Sequence, residues 1–73
     1  MKIEFEKCPN PDILIIHMDE KRLSASQIRK LKNIEGIASE NLNQWKEYRI
    51  QIEKGRVFKW TDIEPQIIKA LTS

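Results

Sequence analysis

Pro9 and Pro11 stand two residues apart in Cys8-Pro9-Asn10-Pro11-Asp12, and they separate two segments of different character. Each proline holds φ near about −65° and removes a backbone donor, so neither a helix nor a strand ladder runs through this stretch. It is a rigid turn. Before it, Ile3 and Phe5 alternate with Lys2, Glu4 and Glu6, the period of two of a half-buried strand from Lys2 to Lys7. After it, Ile13 to Met18 is apolar on both alternating sets and rich in β-branched residues. That pattern predicts an inner strand covered on both sides.

Asp19 to Leu23 is a charged connection. Ser24 then offers an N-cap, with Gln27 three residues on to complete a capping box. The helix predicted from Ala25 to Asn33 turns Ile28 and Leu31 inward and Arg29, Lys30 and Lys32 outward, and Gly36 is its natural stop. Ile37 to Lys54 carries both periods. Tyr48, Ile50 and Ile52 alternate with Arg49, Gln51 and Glu53, while Leu42, Trp45, Tyr48 and Ile52 share a helical face with Gly55 as its C-cap. The β-branched spacing favours a hairpin of Ile37 to Leu42 with Tyr48 to Glu53. Val57 to Trp60 either extends the sheet or closes the core, in which Tyr48 and Trp60 are expected.

The last element is a helix capped by Thr61 or Asp62, with Glu64 boxed to Thr61 and Pro65 in the first turn. Its apolar stripe is Ile63, Ile67, Ile68 and Leu71. The resulting order β-β-α-β-β-α predicts an α+β fold: an antiparallel sheet of about four strands with two helices on one face.

At 73 residues the chain is one domain, residues 1–73. A chain of this size buries only roughly 60% of its unfolded surface, and below about 80 residues natural domains often need a disulfide, a metal, a partner or very regular packing. One cysteine, Cys8, excludes an intramolecular disulfide, and Cys8 with the single His17 excludes a tetrahedral Cys/His zinc site within one chain. No cofactor is expected. No apolar run approaches the ~20 residues of a membrane span, and the charged start Met1-Lys2-Ile3-Glu4-Phe5-Glu6 is not a signal peptide; the expectation is a cytoplasmic protein.

Few groups converge for chemistry. His17 is a general-base candidate or an ordinary strand residue, and Cys8 a reactive or an incidental thiol. No glycine-rich phosphate loop exists, because Gly36 and Gly55 are isolated. Lys21, Arg22, Arg29, Lys30 and Lys32 follow one another with no acid between them, whereas Lys46, Arg49, Lys54, Arg56 and Lys59 are diluted by Glu47 and Glu53. The first group suits phosphates, with Trp45 and Tyr48 available to stack on bases, yet the whole chain carries only +2. A helix-turn-helix from Ser24 through Gly36 to Trp45 is opposed by Lys32 and Glu35 near its turn.

Three stretches carry a family resemblance: the strand entering Cys8-Pro9-Asn10-Pro11 with Leu14 after it, Ile34-Glu35-Gly36-Ile37, and Trp60, Ile63, Pro65, Ile67, Ile68 and Leu71 following the Tyr48 to Lys54 strand. In this order they resemble the N-terminal domain of Nfu-type proteins, the iron–sulfur scaffold relatives of NifU, over nearly the whole chain. The Asp19 to Leu23 connection is shorter than that family's, and Ala38 to Glu47 is longer and more polar. Family members hold their cluster on a C-x-x-C motif in a separate C-terminal domain, and this sequence has no second cysteine. The resemblance therefore implies a non-catalytic accessory module that meets protein partners around iron–sulfur cluster assembly or delivery, without cluster ligands, as a monomer or weak dimer. Gly36, Trp60 and Pro65 are its family-like structural positions. Candidate partner-binding residues are Pro9, Asn10 and Pro11 of the turn, with Lys21, Arg22, Arg29, Lys30 and Lys32. The alternative is a small nucleic-acid-binding regulator using the basic face of the first helix; a third, a metal or cluster carrier, would need a dimer sharing Cys8.

Overall fold

The computed structural model describes residues 1–38, 40 and 42–72, with the backbone alone at 43 and 45. Its elements are β1 (Ile3–Lys7), β2 (Ile13–Met18), α1 (Ala25–Lys32), β3 (Asn43–Lys46), β4 (Arg49–Glu53) and α2 (Trp60–Thr72). The strands lie in the order β1-β2-β4-β3, antiparallel throughout. β1, β2 and β4 pair in unbroken register, whereas β3 is a short edge whose register shifts. An antiparallel sheet with two helices is the α+β class that the alternation pattern predicts.

Register decides which side chains share a face. Phe5 lies opposite Ile16 and Ile16 opposite Ile50, while Leu14 lies opposite Ile52 and Ile3 opposite Met18. Residues directly opposite project to the same side of a sheet, so all of these point one way. Leu14, Ile16, Ile50 and Ile52 are almost fully buried there, in one cluster with Leu31 of α1 and Ile63, Ile67 and Leu71 of α2. Each fully buried Leu or Ile contributes about 1.5–3 kcal/mol, so this cluster can hold a small domain without a cross-link.

Both helices among the described residues add their buried side chains to that one cluster. On the opposite face Ile13, Ile15 and His17 are half-buried rather than enclosed. This corrects the expectation that Ile13 to Met18 is covered on both sides: both helices add to the same core, and one layer suffices to bury one alternating set.

Local signals place α1 well. Ser24 accepts from the Gln27 amide at 3.1 Å and the Gln27 side chain accepts from the Ser24 amide at 2.8 Å, a complete capping box. The helix ends at the C-cap Asn33, and Gly36 takes its positive φ of 97° in the following turn. A Cβ on Gly36 would sit 2.7 Å from Cγ of Phe58, so this residue is glycine for space as well as for backbone conformation.

The middle of the chain departs from expectation. Ile37 forms a single antiparallel bridge with Lys54, Ala38 donates to the Glu53 carbonyl at 2.8 Å, and the strand proper is Asn43–Lys46. The predicted Ile37 to Leu42 strand is thus one bridge followed by a displaced edge strand; residues 39 and 41 of that span lie outside the described residues. Lys46 pairs with Arg49 across a two-residue loop, Glu47-Tyr48, and Tyr48 has φ 62° and is 49% exposed instead of lying in the core. Strand at 43–46 and 49–53 also removes both the helical face through Trp45 and the second helix of a helix-turn-helix.

At the C-terminus, the Lys59 carbonyl accepts from Asp62 and Ile63, so α2 begins at Trp60, before Thr61 and Asp62 can act as caps. Pro65 consequently lies in the second turn, not the first. Val57 to Trp60 does not extend the sheet but closes the core, with Trp60 buried and Phe58 packed against the cluster, while Val57 itself is 88% exposed. Trp60, Ile63, Ile67, Ala70 and Leu71 are buried, but Ile68 is 43% exposed, because it sits about 100° round the helix from Ile67.

Candidate functional site

The proline turn is built inward. Asn10 accepts from the Asp12 amide through Oδ1 at 2.9 Å and from the Ile13 amide through its carbonyl at 3.1 Å, closing the turn. Trp60 Nε1 donates to the Pro11 carbonyl at 2.8 Å. Lys54, 8% exposed, sends Nζ to Asp12 Oδ1 at 3.1 Å, and the same ammonium lies 5.6 Å from the centroid of the Trp60 ring. Arg56 approaches the other Asp12 oxygen at 3.9 Å from full solvent. Asn10 Oδ1, the Asn10 and Pro11 carbonyls and the Asp12 carboxylate are therefore engaged within the fold, while Pro9, Asn10 and Pro11 themselves remain exposed. Cys8 is half-buried and unpaired, at the start of the same turn.

The candidate partner-binding residues fall in three places along the fold. Pro9 to Pro11 precede β2, while Lys21 and Arg22 follow it, so six extended residues, roughly 17–20 Å, separate the two groups. Lys21 pairs with Glu47 at 3.2 Å. Arg29, Lys30 and Lys32 are exposed on the last turn of α1, the opposite end from Lys21 and Arg22. Cations there also complement the negative end of the helix dipole, which gives them a role in the fold itself.

Two features were not legible as sites. The first is the open sheet face, where Glu4, His17 and Arg49 form one cross-strand row and Glu6, Ile15 and Gln51 the next. His17 Nε2 meets Glu6 Oε1 diagonally at 3.1 Å, so the imidazole has a carboxylate beside it. At its edge Lys2, Glu4, His17, Met18 and Asp19 line a shallow depression of about 210 Å³. Small-molecule sites usually enclose about 300–1,000 Å³, so this hollow suits a side chain better than a ligand. Among the described residues no three His, Cys, Asp or Glu side chains are grouped to hold a metal ion.

The second feature is the β3–β4 hairpin tip. The Gln44 side chain accepts from the Leu23 amide at 2.7 Å and donates to the Lys21 carbonyl at 2.7 Å. Tyr48 donates its amide to the Lys21 carbonyl and accepts from the Met18 amide, both at 3.1 Å. These bonds strap the tip to the connection after β2. The stacking role considered for Trp45 concerns a side chain outside the described residues, whereas Tyr48 is outside the core and accessible.

No helix among the described residues is long and apolar enough to cross a membrane. Comparison with family models, with curated proteins and with solved structures returned no match.

Proposed function

We propose that this chain is a non-catalytic protein-interaction module of the Nfu N-terminal type, built as four strands and two helices in the order β-β-α-β-β-α, and serving cytoplasmic iron–sulfur cluster assembly or delivery without holding the cluster. One observation carries the proposal. The three stretches that bear the resemblance lie far apart in the sequence, yet Lys54 ties them together. It bridges to Ile37, pairs with Asp12 beside Pro11, and sits over Trp60, which in turn binds the Pro11 carbonyl. The three stretches thus act as parts of one folded unit, which is what a resemblance spanning nearly the whole chain requires. The open sheet face supports a protein partner, because it leaves Ile13 and Ile15 only half-buried, opposite the polar Glu6, Gln51 and Glu53.

The test is calorimetric titration of the purified chain with the purified C-x-x-C cluster-binding domain of an Nfu-type scaffold, and in parallel with a mixed-sequence DNA duplex at low salt. Saturable binding to the domain and none to the duplex is expected. Binding to neither removes the link to cluster assembly. Duplex binding that weakens steeply with salt and is lost in Arg29→Gln/Lys32→Gln replaces the proposal with the nucleic-acid regulator.

A further inference from the structure

Tyr48 is the only residue other than glycine with positive φ among the described residues. A bulky residue is strained there, and Gly or Asn would occupy the same turn more easily. Its ring is half exposed, so the core does not require it. The tip is nevertheless rigid: the Tyr48 backbone is bonded to Met18 and Lys21, Gln44 bonds Lys21 and Leu23, and Glu47 pairs with Lys21. Strain of this kind persists where surrounding contacts impose it, and it concentrates where a side chain meets a ligand.

The neighbours indicate the ligand's chemistry. Arg49 follows Tyr48 directly, and Arg22 follows Lys21, whose carbonyl holds the Tyr48 amide. Both arginines are exposed and have no ion-pair partner among the described residues. Asp19, Glu20 and Glu47 belong to the same two loops, and such interspersed negative charge opposes a continuous phosphate backbone. Two separate exposed guanidinium groups suit single carboxylates, each taken in a bidentate pair, better than a continuous run of phosphates. Tyr and Arg are also the side chains that most often dominate protein interfaces.

We propose that the Tyr48 tip, with Arg22 and Arg49, is the contact for an acidic, partly apolar segment of a protein partner. The ring packs on the segment's apolar side chain, and the two guanidinium groups take carboxylates beside it. This deepens the protein-module proposal and rests on it.

The test is an amide-resonance titration of the isotopically labelled full chain with three probes: a short synthetic peptide of glutamate, leucine and phenylalanine, its lysine-for-glutamate counterpart, and a thymidine oligonucleotide. The acidic peptide should move the amides of residues 20–22 and 47–49 and saturate. Tyr48→Gly and Arg49→Gln should each weaken it about tenfold or more, Arg29→Gln should leave it unchanged, and Tyr48→Gly should melt no lower than the parent chain. Failure of the acidic peptide to bind, equal binding of the lysine peptide, undiminished binding by Tyr48→Gly, or shifts confined to Glu4, Glu6, Ile13, Ile15 and His17 of the open sheet face would each overturn the tip while leaving the module. Oligonucleotide binding would overturn both.

Discussion

Removing the Asp12 carboxylate should cost more than removing the lysine it holds. The Lys54 ammonium is 8% exposed and Asp12 21%, with 3.1 Å between them. In Asp12→Ala the backbone bonds of the turn survive, because Asp12 uses its amide toward Asn10 and its carbonyl toward the Lys54 amide at 2.9 Å. What is lost is the counter-charge. Stripping one partner from a buried pair typically costs about 3–5 kcal/mol. Here the one-fifth exposure of Asp12 admits some water, and the Trp60 face at 5.6 Å retains part of the attraction, so about 2–4 kcal/mol is expected.

That loss matters in a domain of this length, whose total stability lies at about 4–11 kcal/mol. Lys54→Met keeps most of the aliphatic stem against Trp60 and leaves the carboxylate, one-fifth exposed, to be solvated by water, so it should cost about 1–2 kcal/mol, less than Asp12→Ala. The double variant Asp12→Ala/Lys54→Met should recover most of the loss. Arg56→Ala should change nothing measurable, because that side chain is 93% exposed and 3.9 Å from the carboxylate. Urea unfolding followed by tryptophan fluorescence and circular dichroism measures all four. If Lys54→Met costs as much as Asp12→Ala and the double variant is additive, the charge itself is a net stabiliser and the argument from desolvation is wrong.

Two further perturbations test the backbone reading. Gly36→Ala meets both a φ of 97° and Phe58 at 2.7 Å, so a loss of about 2–4 kcal/mol is expected in the same unfolding assay; Phe58→Ala should relieve only the steric part. Ser24→Ala removes one half of the α1 capping box and should cost about 1 kcal/mol, with amide exchange quickened first at the start of the helix.

Short-range chemistry explains which elements could be read directly. The Ile3/Phe5 alternation, the double-proline break and the Ser24–Gln27 box each act within a few residues, and each has its expected form. Tyr48 shows where this fails. It is in phase with Ile50 and Ile52, so alternation carries it into the core, but the strand begins at Arg49 and the preceding residue turns. The bond that holds it there comes from Lys21, on a connection 27 positions earlier. The start of α2 failed for the same reason. Thr61 and Asp62 are good caps locally, yet Trp60 is held by the Pro11 carbonyl and by core packing, and the helix begins with it.

The candidate site divides in the same way. Residue types and their order suffice to mark the exposed prolines and the five cations, because polarity and backbone restriction belong to each residue. They do not say that β2 keeps Pro9–Pro11 apart from Lys21 and Arg22, or that α1 carries Arg29, Lys30 and Lys32 to its far end. Nor do they say that both helices choose one sheet face and leave Ile13, Ile15 and His17 half-open.

By itself, then, the amino-acid order determined the class of fold, the rigid turn and the lack of a second thiol, since periodicity, proline geometry and cysteine count are properties of a chain read one stretch at a time. Only the tertiary structure decided that Lys54 is a buried partner of Asp12 and that Tyr48 stands exposed at a positive φ, its backbone bonded to Lys21 and Met18. Burial and charge pairing depend on which distant residues arrive at the same place, and a linear pattern does not contain that information.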